Sequence, residues 1–229
     1  MKEQLALLIR NGTFPIGGQL PPETLICKRL GISRGTVRQA INALVIEGRL
    51  KRARGRGTFV TEPSVALHLV QRFTSLAEDM QAQSLPFTTD VRVKKVIAAR
   101  GRLEAKLDVQ LGESVFYLER VGKVESQPFV LAFSYLPASL CPGLFEKELT
   151  NRSLYSVLEQ EYGLQVTRAL RTLEATNADG YEADQLHVET GSPIHFMHSL
   201  AYLDDGRPVE YSRLRFKGDQ SRITLEVTR

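Results

Sequence analysis

The sequence predicts an α+β protein of two domains, covering residues 1–62 and 63–229. Apolar residues recur at helical spacing in the first part, whereas from about residue 91 several segments alternate apolar and polar residues as strands do. The charge divides in the same way, because residues 1–62 carry a net charge of +7 and the remainder −3. A basic domain joined to a mildly acidic one suggests that the first domain binds a polyanion.

The composition excludes several classes of protein. Of the 229 residues 42% are hydrophobic, which suits a folded core. No stretch approaches the roughly 18 consecutive apolar residues of a membrane-spanning helix. We see no secretory leader, so we expect a cytoplasmic protein that does not contact the membrane. Cys27 and Cys141 lie far apart without a CxxC motif, which predicts neither a disulfide framework nor a zinc site.

The first sixty residues indicate three short helices. The first covers 4–9 and the second 23–30, and Gly31 is placed to end the second. The second helix is expected to bury Ile26, Cys27 and Leu30. Ser33 occupies the N-cap position of the third helix, whose expected buried face consists of Val37, Ala40, Ile41 and Leu44. Two short helices around a tight turn that contains glycine form a helix-turn-helix.

The exposed face of the third helix carries side chains that are suited to reading DNA. These residues are Arg34, Thr36, Arg38, Gln39 and Asn42. Arginine, glutamine and asparagine can make bidentate contacts with base edges in the major groove. Two short strands follow, and their glycine-rich tip includes Arg54 and Arg56, as expected of a wing that contacts phosphates or the minor groove. The alternative is that these are only solvated surface residues.

These motifs resemble the DNA-binding domain of the GntR family of bacterial regulators. The matching segments are Leu20-Pro-Pro-Glu23, Gly31-Ile-Ser-Arg-Gly-Thr-Val-Arg38, Ala40-Ile-Asn-Ala-Leu44, Glu47-Gly48 and Gly55-Arg-Gly-Thr-Phe-Val60. The resemblance implies that Arg34, Thr36 and Arg38 contact bases and phosphates. It also implies that Glu23 organises the site and that Gly57 lets the wing backbone approach DNA. Pro22 departs from the serine that usually caps the second helix in this family.

The second domain indicates an antiparallel sheet with helices packed on it. Strands are expected at about 91–98, 115–124, 129–136, 165–175, 194–203 and 207–216, and helices at about 75–83, 103–109, 153–162 and 179–186. The series Leu107, Val109, Gly112, Ser114, Val115 recurs 79 positions later as Leu186, Val188, Gly191, Pro193, Ile194. This repeat predicts two similar half-sheets related by a pseudo-twofold axis.

Residues 66–226 resemble the UTRA effector domain of the HutC branch of the same family. The matching segments are Phe73–Met80, Arg120, Tyr135–Pro137, Ser153–Tyr155, Tyr162-Gly163 and Gly206–Glu210. The resemblance implies the fold of chorismate lyase and a pocket for a small-molecule effector. It also implies that Ser153, Tyr155, Glu210 and Phe216 contact that effector, with Phe216 in the place of a common tyrosine. Ser153 could instead serve simply as an N-cap.

Two further candidates for the effector site come from the residues themselves. Thr74 and Ser75 begin a helix, whose free N–H groups favour an anion, although Ser75 and Glu78 also form an S-x-x-E capping box that needs no ligand. Arg120 is placed on an apolar strand face, where its charge requires an anion or a salt bridge, for example with Glu210.

Departures from the family pattern suggest a smaller or less polar effector than a sugar phosphate. Gly122 stands where sugar-phosphate-sensing relatives have a second arginine, and Ala132 where they have a glutamate. Together with Phe216, these changes remove three polar groups that a hydroxyl-rich ligand would require. The effector is still expected to be anionic if Arg120 and the helix that begins at Ser75 bind it.

The sequence therefore predicts a transcription regulator, expected to be a repressor, that binds a palindromic operator as a homodimer and responds to an effector. We expect no catalytic residues, cofactor or metal: His195 and His198 point to opposite faces of one strand and cannot share an ion. Two alternatives remain open for the second domain. In the first, this domain is a dimerisation module without an effector. In the second, it is a lyase that retains the chemistry of its fold.

Overall fold

The structure is a computed structural model that describes residues 1–46, 48–61, 64–70 and 74–225. Glu47, Pro63 and Phe73, which contributed to the family motifs and the expected linker, lie outside these residues. The chain forms two compact units, Met1–Val65 and Ala66–Arg229. The domain boundary expected between residues 62 and 63 falls on residues that the structure does not describe.

The first unit contains three helices and a β-hairpin. In order they are α1 (Lys2–Arg10), α2 (Glu23–Leu30), α3 (Arg34–Ile46), β1 (Leu50–Ala53) and β2 (Gly57–Val60). The face of α3 predicted to be buried is confirmed, since Val37, Ala40, Ile41 and Leu44 are all at most 5% exposed. They pack with Leu5 of α1 and Ile26 of α2 in one core. This arrangement is the expected winged helix-turn-helix.

The turn between α2 and α3 follows the chemistry of its residues. Gly31 ends α2 in the left-handed conformation, with φ of 65°, which costs glycine nothing. Leu30, predicted to face inward, is instead 48% exposed. It is the last residue of α2, where the chain turns away from the helix axis, so the prediction for this residue was wrong.

The second unit is built around a six-stranded antiparallel sheet. Its long strands are β4 (Phe87–Ala98), β5 (Ser114–Val124), β6 (Gln127–Pro137), β7 (Val166–Asn177), β8 (Pro193–Leu203) and β9 (Pro208–Lys217), and two short strands, β3 (Val65–Ala66) and β10 (Ser221–Arg222), flank this region of the chain. The helices are α4 (Leu76–Ala82), α5 (Arg102–Leu107), α6 (Leu154–Tyr162) and α7 (Gly180–Leu186), with short 3-10 helices at His68–Val70 and Leu144–Glu146.

The order of strands in the sheet is β4-β5-β6-β9-β8-β7. Two hairpin-containing halves, β4-β5-β6 and β7-β8-β9, therefore meet at the β6–β9 pair. Equivalent backbone bonds recur with the 79-residue offset: Ala99 N–H donates to Glu113 O, and Ala178 N–H to Ser192 O. The predicted internal repeat is thus confirmed, and its pseudo-twofold axis passes between the two central strands.

The helices cover both faces of this sheet and so divide its side chains into two sets. On one face α6 packs through Leu154 and Leu158 against Phe116 and Leu118 of β5. On the opposite face α7 packs through Leu186 on strands β5 and β6, and α5 packs close to β9. Because side chains alternate along a strand, Arg120 of β5 lies on the face of α6.

Candidate functional site

The exposed face of α3 is the first candidate site. Arg34, Thr36, Arg38, Gln39 and Asn42 are all exposed, as the helical periodicity required. Ser33 has a structural task in the same helix, because its Oγ accepts a hydrogen bond from the N–H of Thr36 at 3.2 Å. This cap orients the first turn of α3 and leaves the remaining polar side chains available to a partner.

Glu23 organises two of the basic side chains near α3. Its Oε2 accepts hydrogen bonds from Nε and Nη2 of Arg38, both at 3.2 Å. Its Oε1 lies 3.8 Å from Nη2 of Arg52 on the wing strand β1. The side chain of Arg38 remains 63% exposed. A pair as exposed as this contributes little stability, so the role of Glu23 is to position the guanidinium group.

The wing is the β1–β2 hairpin, and Arg54 and Arg56 are exposed at its tip. Gly57 has a φ of 113°, and a Cβ at this position would lie 2.3 Å from Nε2 of Gln19. That amide donates to the carbonyl of Arg56 at 2.7 Å. Gly57 is therefore required by its own domain, whether or not DNA approaches it. Sequence reasoning missed Gln19, because nothing local indicates that it contacts a residue 37 positions away.

The second candidate site is a cavity of about 90 Å³ in the second unit. Six of the seven residues predicted for an effector line it: Thr74, Ser75, Arg120, Ser153, Tyr155 and Glu210. Its floor is the sheet, which contributes Ser134, Ser199 and Ser212. The N-terminal ends of α4 and α6 form its walls, so residues distant in sequence converge on one small volume.

Arg120 brings a buried positive charge to the cavity. Its Nη1 donates to the carbonyl of Arg152 at 3.3 Å, and the ion pairs among the described residues do not include it. Burial lowers the pKa of Arg120, while Glu210 and Tyr155 act in the opposite direction. An arginine nevertheless keeps its proton at physiological pH. The cavity therefore contains a guanidinium group that no carboxylate neutralises directly.

Glu210 is bonded to a neighbour other than Arg120. Its Oε2 accepts a hydrogen bond from the hydroxyl of Tyr155 at 2.9 Å. Burial, followed by the charge of Glu210, raises the pKa of Tyr155 well above its usual value, so Tyr155 stays protonated and continues to donate. The salt bridge from Arg120 to Glu210 that the sequence left open is not formed.

Two serines of the cavity act as helix caps. Ser75 and Glu78 form the complete capping box: Ser75 Oγ accepts from Glu78 N–H at 3.2 Å, and Glu78 Oε2 accepts from Ser75 N–H at 2.9 Å. Ser153 Oγ accepts from Ser156 N–H at 3.4 Å at the start of α6. Of the two interpretations considered for Ser75, the capping box is therefore observed.

Arg171 is a residue of the cavity that sequence reasoning missed. It lies on β7, and its guanidinium group donates to the carbonyls of Leu69 and Thr74, to the latter at 3.0 Å. Its Nε donates to Ser199 Oγ at 3.4 Å. The only signal in the sequence was a charged residue on a strand, and that is usually a solvated one.

Phe216 does not line the cavity, contrary to its predicted role. It is fully buried and packs on Phe129, with 5.7 Å between ring centroids. A Cβ added at Gly122 would lie 2.8 Å from two ring carbons of Phe87, a residue that also lines the cavity. An aromatic ring therefore approaches the position where sugar-phosphate-sensing relatives were expected to have an arginine.

The histidines of β8 have separate hydrogen-bond partners. His195 Nδ1 lies 2.7 Å from Ser221 Oγ, and His198 Nδ1 lies 2.8 Å from the hydroxyl of Tyr211. Among the described residues, no group of three histidine, cysteine or acidic side chains could hold a metal ion. Within the same residues, none of the helices has the length and apolar character needed to cross a bilayer.

Comparison with family models identifies both units. Residues 1–60 match the model described as bacterial regulatory proteins, gntR family. Residues 82–222 match the UTRA domain. The two matches together cover nearly all of the chain, in the order expected from its motifs.

Individual relatives are similar to this chain along most of their length. The HTH-type transcriptional repressor NagR of Bacillus subtilis is 32% identical over 95% of this chain and 89% of its own. The mannosyl-D-glycerate transport/metabolism system repressor MngR of Escherichia coli is 29% identical over 100% of this chain and 93% of its own. The crystal structure of PhnF from Mycobacterium smegmatis superposes with a TM-score of 0.87 at 29% identity, covering 99% of this chain and 98% of PhnF. Both NagR and MngR are named as repressors, and neither is named as an enzyme.

Proposed function

The chain belongs to the gntR family of bacterial regulatory proteins, as a DNA-binding transcriptional regulator with a UTRA effector domain, and from this premise we propose that it represses transcription as a homodimer on a palindromic operator. NagR and MngR, which resemble it along nearly their whole length, are named as repressors. Because its partner is the bacterial chromosome, we further propose that it acts in the cytoplasm.

The observation that carries the DNA-binding site is the division of α3 into two faces. Four aliphatic side chains hold the helix in its domain, while five polar side chains remain exposed on the other face. We assign base and phosphate contacts to Arg34, Thr36, Arg38, Gln39 and Asn42, and phosphate contacts to Arg54 and Arg56. Glu23, Ser33 and Gly57 position these groups without needing to touch the duplex themselves.

A palindromic operator follows from symmetry. Two identical recognition helices related by a twofold axis read the same bases on opposite strands, about one helical turn apart. Selection of duplexes from a random library by the full chain tests this proposal. We expect the selected sequences to contain an inverted repeat with half-sites about 10 bp apart or a multiple of that spacing. Enrichment of a single half-site, or of no motif, would contradict it.

Our second proposal concerns the effector, which we infer to be a small anion bound beside Arg120. The guanidinium group lies in a cavity of about 90 Å³ and has only a backbone carbonyl as its hydrogen-bond partner among the described residues. Thr74, Ser134, Ser199 and Ser212 line the same cavity and bring hydroxyl groups to it. A buried positive charge of this kind is stabilised when an anion binds to it. The small volume and the ring of Phe87 favour a compact molecule over a sugar phosphate.

Thermal unfolding of the full chain with small carboxylates, phosphates and matched uncharged amides or alcohols tests this assignment. A ligand at 100 times its Kd stabilises the folded state by about 2.7 kcal/mol, so an anion that binds raises the Tm while its neutral analogue does not. Arg120→Met should abolish the rise, whereas Arg92→Met, at an exposed position of β4, should preserve it. If no anion raises the Tm, the assignment of a small anion as the effector is wrong.

A further inference from the structure

The outer edge of β7 is a long strand edge that is open in the described part of the chain. The strand spans 12 residues and ends the six-stranded sheet, pairing with β8 on one side only. Leu170 is 60% exposed and Leu173 is 37% exposed. A long strand edge whose outward backbone groups are unpaired tends to pair with another chain unless something covers it.

The opposite edge of the sheet, formed by β4, is protected by a loop and by charged side chains. On β4, Thr89 N–H donates to Oδ1 of Asn151 at 2.9 Å, and Asn151 N–H donates back to Thr89 O at 3.0 Å. Lysines at positions 94 and 95 add charge further along the same strand. Loop and charge are recognised ways of blocking an edge. Among the described residues, the backbone of β7 has no such partner on its outer side; the carbonyls of Leu69 and Thr74 accept hydrogen bonds only from the side chain of Arg171 on this strand.

A second copy of the chain is the partner that fits this edge. Two identical strands paired antiparallel are related by a twofold axis perpendicular to the sheet, which is the symmetry of a closed dimer. This axis leaves equivalent side chains of the two copies on the same face of the joined sheet. Directly opposed residues also point to the same face, so the two strands can pair only in registers in which one residue lies opposite the same residue of the second copy. When that residue is Arg171, Arg168 lies opposite Glu174 of the second copy, and this salt bridge forms twice. Ala169 then lies opposite Leu173 of the second copy and covers part of its exposed surface.

We propose that the outer edge of β7 is the subunit interface, pairing with β7 of a second copy in the antiparallel register centred on Arg171. This inference rests on the proposed homodimer and adds where the two chains meet. The central arginines do not oppose the register, because each guanidinium group is directed into its own cavity by Leu69, Thr74 and Ser199. The centre of the interface would thus be Arg171, which also lines the effector cavity.

Charge exchange tests the register in sedimentation experiments on the full chain. Glu174→Arg and Arg168→Glu each place like charges opposite one another twice, so each should raise the dimer Kd at least tenfold. The double variant restores both pairs and should return the Kd to within about threefold of the wild type. Arg168 also stacks on Tyr202, at 3.9 Å, so recovery in the double variant separates the salt bridge from the loss of that contact. Val96→Lys on the opposite edge should leave the Kd unchanged.

Disulfide formation gives an independent measurement of the same register. Leu170 lies opposite Thr172 of the second copy, so an equimolar mixture of Leu170→Cys and Thr172→Cys chains should form a linked heterodimer on oxidation, because directly opposed strand residues have the Cα separation of a disulfide. Leu170→Cys alone should not link. A dimer whose Kd ignores both charge reversals, or that links equally in all mixtures, would overturn the interface and leave the homodimer intact. A wild-type chain that stays monomeric would overturn both.

Discussion

Arg38 shows how one acidic side chain holds a basic one in place, which bears on the DNA contact that we propose for it. Without Glu23, this long side chain would sample many rotamers at the surface, and binding would have to restrict them. The two hydrogen bonds from Arg38 to Glu23 reduce that freedom in advance. The carboxylate also limits the local positive charge, so the arginine contributes more to orientation than to unspecific attraction.

Replacing Arg38 with alanine should therefore weaken binding to the selected operator by about 10- to 100-fold, or about 1–3 kcal/mol. The free energy of unfolding should hardly change, because the Arg38 side chain is mostly exposed. Fluorescence anisotropy at fixed salt measures the Kd, and urea unfolding measures the stability. Arg29→Ala on α2 removes an equal charge from an exposed position. Equal losses for the two variants would contradict the assignment of Arg38 to base recognition.

Gly122 is a position where the packing of neighbouring side chains leaves no room for a larger residue. A Cβ there would come within 2.6 Å of Cγ1 of Val130 and 2.8 Å of the ring of Phe87. We expect Gly122→Ala to destabilise the protein by about 1–3 kcal/mol through overpacking, as measured by urea unfolding. Phe87→Ala removes part of the obstruction, so the double variant should lose less stability than the sum of the two single variants. Additive losses would mean that the methyl group finds space elsewhere.

At the scale of elements, the start of α4 allows two roles of Ser75 to be tested separately: capping the helix and contacting a ligand. Its N-cap, Ser75, lines the cavity and closes the capping box with Glu78. Aspartate caps helices as well as serine does. Ser75→Asp should therefore keep the free energy of unfolding within about 0.5 kcal/mol of the wild type, whereas Ser75→Ala should lower it by about 1 kcal/mol.

The aspartate variant also tests the charge of the effector. A carboxylate at position 75 adds negative charge to the cavity wall, so an anionic ligand should bind at least several-fold more weakly than to Ser75→Ala. Calorimetric titration of both variants with the same anion, taken from the thermal screen, makes the comparison. An anion that binds the two variants equally would show that Ser75 serves α4 alone and lies away from the bound charge.

Most elements could be predicted from the sequence because their signals are local. Periodicity gave all four helices and six long strands of the second unit within a few residues of their observed ends. Much of the site could not, because its contacts join distant segments. Gln19 beside Gly57, and Arg171 with Leu69 and Thr74, depend on how the chain folds back on itself. Phe216 was misplaced because strand alternation gives its face but not how far the cavity extends along it.

At the scale of the whole molecule, the internal repeat explains where the cavity lies. The two halves of the sheet meet at β6 and β9, and these central strands contribute Ser134, Ser212 and Glu210 to the cavity. Helices α5 and α7, which correspond through the repeat, both pack on the opposite face. On the cavity face α4 and α6 correspond in the same way, because a shift of 79 positions places Leu76–Ala82 on residues 155–161 of α6, and the N-terminal ends of these two helices supply the walls of the cavity.

Effector and DNA must influence each other equally if one chain binds both. An effector that favours one arrangement of the dimer lowers operator affinity only by its difference in affinity for the two arrangements, and a coupling of about 1–3 kcal/mol is ordinary. We expect the anion found in the thermal screen to weaken operator binding about 5- to 150-fold. The operator duplex must then weaken binding of that anion by the same factor. Titrating each ligand with and without saturating amounts of the other measures both factors in one buffer. Unequal factors at equilibrium would show that the anion also acts outside the cavity, for example by competing with DNA phosphates for the basic residues of α3 and the wing. Arg120→Met distinguishes action in the cavity from action outside it, because this variant removes only the coupling that passes through the cavity.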